Sequence, residues 1–207
     1  KIPFVETLDP QKLSFLCQMM EKNLNSPLTS SAGRLFDAVS SLVGLCHRVS
    51  YESQAAMVLE TAAVTQGDRG GEKNGRDYPV DLVETGKTGS AENFPYYEID
   101  MIPCIQGIVQ DVKKGHSPGK ISRKFHNTLV KGFVDAASRV KQDTGIKTAV
   151  LSGGVFNNNL VLVRTISGLE SQGFTVYTHT KVPTGDGGIS LGQALVAAAA
   201  ARAGQRD

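Results

Sequence analysis

The stretch "LSGGVFNNNL", residues 151–160, decides the fold. Ala149, Val150 and Leu151 end an apolar run at its start, and Leu160, Val161 and Val163 leave it at helical spacing. A strand therefore feeds a helix through a glycine turn. Gly153 and Gly154 allow the backbone to reverse sharply and to approach another molecule closely. Asn157, Asn158 and Asn159 supply amide groups and good helix N-caps. A strand, a glycine turn and a helix N-terminus make a cradle for an anion or a nucleotide. The same pattern also serves as a plain connection in any α/β protein.

Toward the C-terminus the alternation continues. The pattern predicts a strand over 147–151, a helix over about 158–171, the strand "FTVYTH" after Gly173, and a final packed helix over about 187–203. Strand, helix, strand, helix at this spacing implies a parallel βαβ unit. Asp186 sits in "VPTGDGGISLG" between Gly185 and Gly187, after a strand and before a helix. Ligands of parallel sheets bind at the carboxyl ends of strands, so the two glycine turns should face one crevice. A carboxylate there can coordinate a metal, hold Mg²⁺ on phosphates, or cap the helix it precedes.

Toward the N-terminus helices dominate. Asp9 and Pro10 open a helix over 9–24 with Leu13, Leu16, Cys17 and Met20 at helical spacing. A second helix over about 31–46 carries the stripe Leu35, Val39, Leu42, Val43 and Cys46, with Gly33, Asp37, Ser41 and Gly44 on a smaller, more polar face. Gly33 and Asp37 lie one turn apart, so the carboxylate stands over a position with no side chain. That gap suits a ribose diol, and it equally suits a solvated surface carboxylate. Arg34 is a phosphate ligand or a surface charge. A third helix runs from about Glu52 to Val64. Glu52 either contacts a ligand or stabilises the helix dipole.

Residues 65–79 are polar and glycine-rich and predict a mobile surface loop. Short strands are expected at 80–84 and 96–99, then helices at 101–114 and about 118–142, the last ending at Gly145. The whole is helix-rich α/β.

Bulk properties exclude several classes. The formal net charge of +2 is too small to argue for nucleic acid or a membrane surface, and 40% of the residues are hydrophobic. No apolar run approaches the ~18 residues of a membrane helix. Cys17, Cys46 and Cys104 are scattered and odd in number, so reduced thiols packed as small hydrophobes in a cytoplasmic setting are expected. His47, His116, His126 and His179 show no metal-ligand spacing, and His126 beside Phe125 reads as a packed side chain. A P-loop and a serine nucleophile elbow are both missing.

Four segments in order, "TSSAGRLFDAVSSLVGLC", "YESQAAMVLE", "LSGGVFNNNLVL" and "VPTGDGGISLGQALVAA", resemble the C-terminal part of the HypF carbamoyltransferases, maturation factors of NiFe hydrogenases. The resemblance runs from about residue 5 to 203. It implies the second ribonuclease-H-like lobe of an actin/hexokinase/Hsp70-type (ASKHA) ATPase fold. Residues 1–28 would be a lead-in helix and linker, and 29–207 the nucleotide-facing lobe of a longer chain. It further implies use of ATP and carbamoyl phosphate to make carbamoyl adenylate, with Mg²⁺. Transfer of the carbamoyl group to the C-terminal cysteine of HypE would follow, toward the cyanide ligands of the hydrogenase iron. By the same resemblance Gly33, Asp37 and Glu52 would face the nucleotide, with Asp37 on the ribose. Gly153, Gly154, Asn157 and Asn158 would line the adenylate pocket. Asp186 would join histidines of the other lobe on a zinc or iron ion. The chain departs from the family at Asn157 and Asn159, where glutamine and arginine are usual, at Gly185, where asparagine is common, and at Ala32, where methionine is common. A phosphate contact by that arginine is thereby lost. No obvious covalent nucleophile is present, which fits a thiol supplied by a partner. A sugar or acetate kinase-like lobe and a partner-docking module are the other readings.

Overall fold

The computed structural model describes residues 2–66, 77–85 and 96–203. The chain divides into two compact units, one of residues 1–83 and 98–129, the other of residues 84–97 and 130–207.

The first unit is mainly helical. After a single turn, α1 (Pro3–Glu6), comes α2 (Pro10–Glu21), capped as its sequence predicts: Asp9 accepts hydrogen bonds from the Gln11 and Lys12 N–H groups. None of its residues is buried, so Leu13, Leu16 and Met20 form an exposed apolar stripe. Helix α3 (Ala32–Leu42) starts on Ser31, whose hydroxyl accepts from Arg34 N–H. Phe36, Val39 and Ser40 are buried in it, and Val43 just after it; of the predicted stripe Val39 and Val43 are therefore buried, whereas Leu35, Leu42 and Cys46 are half-buried. Helix α3 also ends four residues earlier than expected, because Gly44 takes φ +80° and turns the chain out of the helix. Helix α4 (Gln54–Gln66) packs on α3 through Ala55, Leu59 and Ala63.

Strands β1 (Asp81–Glu84) and β2 (Tyr97–Asp100) pair with each other. Asp100 accepts from Ile102 N–H at the head of α5 (Ile102–Lys113), and α6 (Pro118–Thr144) follows. The core of this unit is Phe36 edge-on to Phe125 at 5.0 Å and to His126 at 5.3 Å. His126 is fully buried, and its Nδ1–H donates to the Ser122 carbonyl at 2.8 Å, so the packed reading of this histidine holds.

A polar cluster lies inside the same unit. Asp111, 6% exposed, accepts from the Tyr78 hydroxyl at 2.7 Å and from Lys124 Nζ at 2.6 Å, and His116 Nδ1 stands 3.2 Å from its other oxygen. Burial pushes the Asp111 carboxyl up, but Lys124, Tyr78 and His116 together bring it below its ordinary value. Burial and the hydrogen bond to Asp111 push the Tyr78 hydroxyl far above its own. Tyr78 N–H also donates to Thr128 at 2.8 Å. The expected loop over 65–79 is corrected at both ends: Thr65 and Gln66 continue α4, and Tyr78 is core. Its middle, 67–76, lies outside the described residues, as does the turn expected between β1 and β2.

The second unit holds the predicted βαβ. Strand β3 (Thr148–Leu151) runs through a glycine turn into α7 (Asn159–Ser171), and β4 (Thr175–Thr178) returns parallel to β3, with Leu151 opposite Thr178. One face of the pair is covered: Leu151, Leu169 and Phe174 pack with Val134, Phe156 and Ile166. Close packing of α7 on α6 is possible because residue 168 is glycine; a Cβ there would stand 2.7 Å from Val134. The alternate side chains Val150 and Tyr177 are 68% and 58% exposed. The last helix, α8 (Ile189–Ala203), is where expectation fails. Ile189, Leu191, Leu195 and Val196 are all exposed, so its alanine-rich sequence gives a helix but no packed one. The cysteine expectation also fails in part: Cys104 is buried, Cys46 half-buried and Cys17 exposed.

Candidate functional site

In the second unit the two glycine turns meet at the carboxyl ends of β3 and β4. Gly153 has φ +107°, a conformation that side-chain-bearing residues rarely adopt. This reversal sends the chain into a 3₁₀ turn at Gly154–Asn157, and Asn158 then caps α7 by accepting from Val161 N–H at 3.0 Å. The turn after β4 closes on it: Gly153 N–H donates to the Thr184 carbonyl at 2.7 Å, and the Thr184 hydroxyl donates to the Gly153 carbonyl at 3.2 Å. A Cβ on Gly185 would lie 3.4 Å from Gly154 Cα and 3.7 Å from the Asn157 amide. Small residues therefore face one another across a lip formed by neighbouring parallel strands. Among the described residues, chain neighbours apart, no atom stands within 4 Å of where a Cβ on Gly153 or Gly154 would be, so there is open space beside the turn.

Asp186 begins a second 3₁₀ turn, Asp186–Gly188, whose N-cap is Gly185. Asp186 is a single carboxylate. Among the described residues no group of three His, Cys, Asp or Glu side chains could hold a metal ion, so these residues do not by themselves fit a metal centre.

The first unit positions the remaining predicted residues. Gly33 and Asp37 lie on α3, and among the described residues outside the helix's own backbone a Cβ on Gly33 would meet only the Ser31 hydroxyl, at 3.6 Å, which leaves a gap beside Asp37. The Asp37 side chain is 40% exposed and 3.4 Å from the Arg34 guanidinium. Glu52 precedes α4 rather than opening it. Ser53 has φ +63°, and the helix begins at Gln54, whose side chain accepts from Ser50 N–H and Ser50 Oγ.

One side-chain pair beside the turn escaped the sequence reading. His179 Nε2 lies 2.9 Å from Ser152 Oγ, at the mouth of the glycine turn. The signal was present in the register: Leu151 pairs with Thr178, so the next residues on the two strands are Ser152 and His179.

A parallel βαβ with glycine turns at both strand exits, in a chain otherwise rich in helices, places the protein among the α/β folds of the ASKHA ATPase class. Residues 1–193 match the family described as carbamoyltransferase, Kae1-like domain, second subdomain, and the chain belongs to this HypF family. It is 35% identical over 184 residues to carbamoyltransferase HypF of Rhodobacter capsulatus, covering 88% of this chain and 21% of that protein. It is 34% identical over 170 residues to HypF of Synechocystis, covering 82% and 20%. Among solved structures, full-length HypF in a phosphate- and nucleotide-bound form matches with a TM-score of 0.80 at 38% identity, covering 94% of this chain and 24% of that one. T. kodakarensis HypF matches at 0.70 and 26%, covering 93% and 23%. The chain thus spans about a fifth to a quarter of the length of these relatives.

Proposed function

We propose that this chain is the nucleotide-presenting lobe of a carbamoyltransferase that works from an adenylate. The observation that carries the reading is the convergence of the Gly153–Gly154 and Thr184–Gly185 turns at the exits of β3 and β4. The family is one of carbamoyltransferases, and the adenylate route proposed here follows from the resemblance. Carbamoyl phosphate loses phosphate to give carbamate, whose oxygen attacks the α-phosphorus of ATP and releases pyrophosphate; a thiolate then attacks the carbamoyl carbon of the mixed anhydride and AMP leaves. Backbone N–H groups of the 154–157 turn and the head of α7 favour negative phosphate charge. The Asp37 carboxylate accepts from ribose hydroxyls in the gap above Gly33, with Glu52 in the turn ahead of α4. The acceptor thiol is the C-terminal cysteine of HypE, for the cyanide ligands of a NiFe hydrogenase. By the family resemblance Asp186 would supply one ligand to a zinc or iron ion completed by histidines of another lobe. Among those residues no helix is long and apolar enough to cross a membrane.

Calorimetric titration of ATP and AMP into the chain, with and without Mg²⁺, tests this. Binding by wild type and its loss in Asp37→Ala and Asn158→Ala is the expected result, with thermal melts to check folding, since removing the Asn158 cap costs about 1 kcal/mol. A well-folded chain that binds neither nucleotide refutes the nucleotide role. Carbamoyl transfer to HypE is expected only from the full-length protein, and transfer by these 207 residues alone would overturn that part of the reading.

A further inference from the structure

We propose that Ser152 and His179 act as one unit, in which His179 is a positioning residue that orients the Ser152 hydroxyl toward the phosphate of the bound nucleotide. The proposal rests on the nucleotide reading above and adds two residues to it. The two side chains come from adjacent parallel strands 27 residues apart in sequence and meet at 2.9 Å. Both are exposed, so their hydrogen bond, which water can replace, contributes little to folding. Its location gives it a use. Ser152 is the last residue before Gly153, where the backbone reverses at φ +107°, and Gly154, which no side chain crowds, follows.

With its proton on Nε2, the imidazole donates to Ser152 Oγ. The hydroxyl hydrogen is then directed away from the ring, toward the space in front of the turn. A serine held in this way donates to an anionic oxygen without first having to be ordered, so the entropy of fixing the rotor is spent before binding. A phosphate oxygen at a glycine turn, ahead of a helix N-terminus, is the acceptor that this geometry favours.

The test is titration of AMP and of adenosine into the 207-residue chain and its variants. Ser152→Ala and His179→Ala should each weaken AMP by about tenfold, the scale of one hydrogen bond to a charged group, and leave adenosine unchanged. The double variant should lose no more than either single one, because the two residues act together. His179→Gln, whose amide can still donate to Ser152, should recover most of the AMP affinity. Melting temperatures should stay near wild type throughout. Full AMP affinity in His179→Ala, with affinity lost in Asp37→Ala, overturns the pair and leaves the nucleotide reading standing. Equal losses for AMP and adenosine overturn the phosphate assignment. A folded wild-type chain that binds no AMP removes the reading and this inference together.

Discussion

Single residues carry the clearest energetics. Gly153→Ala forces a side chain to φ +107°, a strain of about 1–3 kcal/mol, and calorimetry should show lower stability together with weaker AMP binding. Asp111 sets an acid limit. Its folded-state value lies below the ordinary one, so its stabilisation is complete above about pH 4, where the unfolded carboxyl also ionises, and is lost as pH falls through the lowered folded value. Asp111→Asn should cost about 3 kcal/mol at pH 7, because Lys124 loses its partner, and should flatten the loss of stability below pH 4 in urea titrations at stepped pH. The thiols separate just as sharply. Burial pushes Cys104 up to about 12, whereas Cys17 is exposed. A maleimide reagent should label Cys17 at once and Cys104 only on unfolding.

At the scale of elements, glycine placement controls packing. Residue 107 on α5 lies under the Tyr78 ring, where an added Cβ would come within 2.5 Å of Cδ1. Gly107→Ala should therefore destabilise the first unit by about 1–3 kcal/mol, lowering the urea midpoint. Nothing in the sequence around Gly107 announces this, because the clash comes from Tyr78, on a segment that reads as loop. The βαβ, by contrast, was legible almost to the residue. Its strands are short apolar runs, its turns carry glycines with one reason to be there, and Asn158 caps α7 as its position predicts. Asp9 on α2 was legible for the same reason, since capping is local chemistry. What failed was tertiary. Alanine-rich α8 and the Leu13–Met20 stripe have helical periodicity yet stay exposed, because periodicity reports a face and not its partner. The pairing of Ser152 with His179 required strand register, which no motif states.

For the whole molecule, the order of the chain and the order of its contacts disagree. Ser122 on α6 donates to the Leu59 carbonyl of α4 across 63 residues, and Thr128 receives Tyr78 N–H across 50. Phe36 of α3 meets Phe125 only when α6 is present. The second unit is local by comparison, with β4 adding to β3 one helix later. Chains ending at residue 115 should accordingly be cleaved rapidly by protease, and chains ending at 144 should resist within residues 32–66. The consequence of α6 closing the first unit is felt during synthesis. At the usual ~5–20 residues per second, Leu59 and its neighbours wait roughly 3–13 s for Ser122 to be made. For that interval the buried faces of the nascent α3–α4 pair stand open to solvent, and other apolar surfaces on or near the ribosome compete with α6 for them.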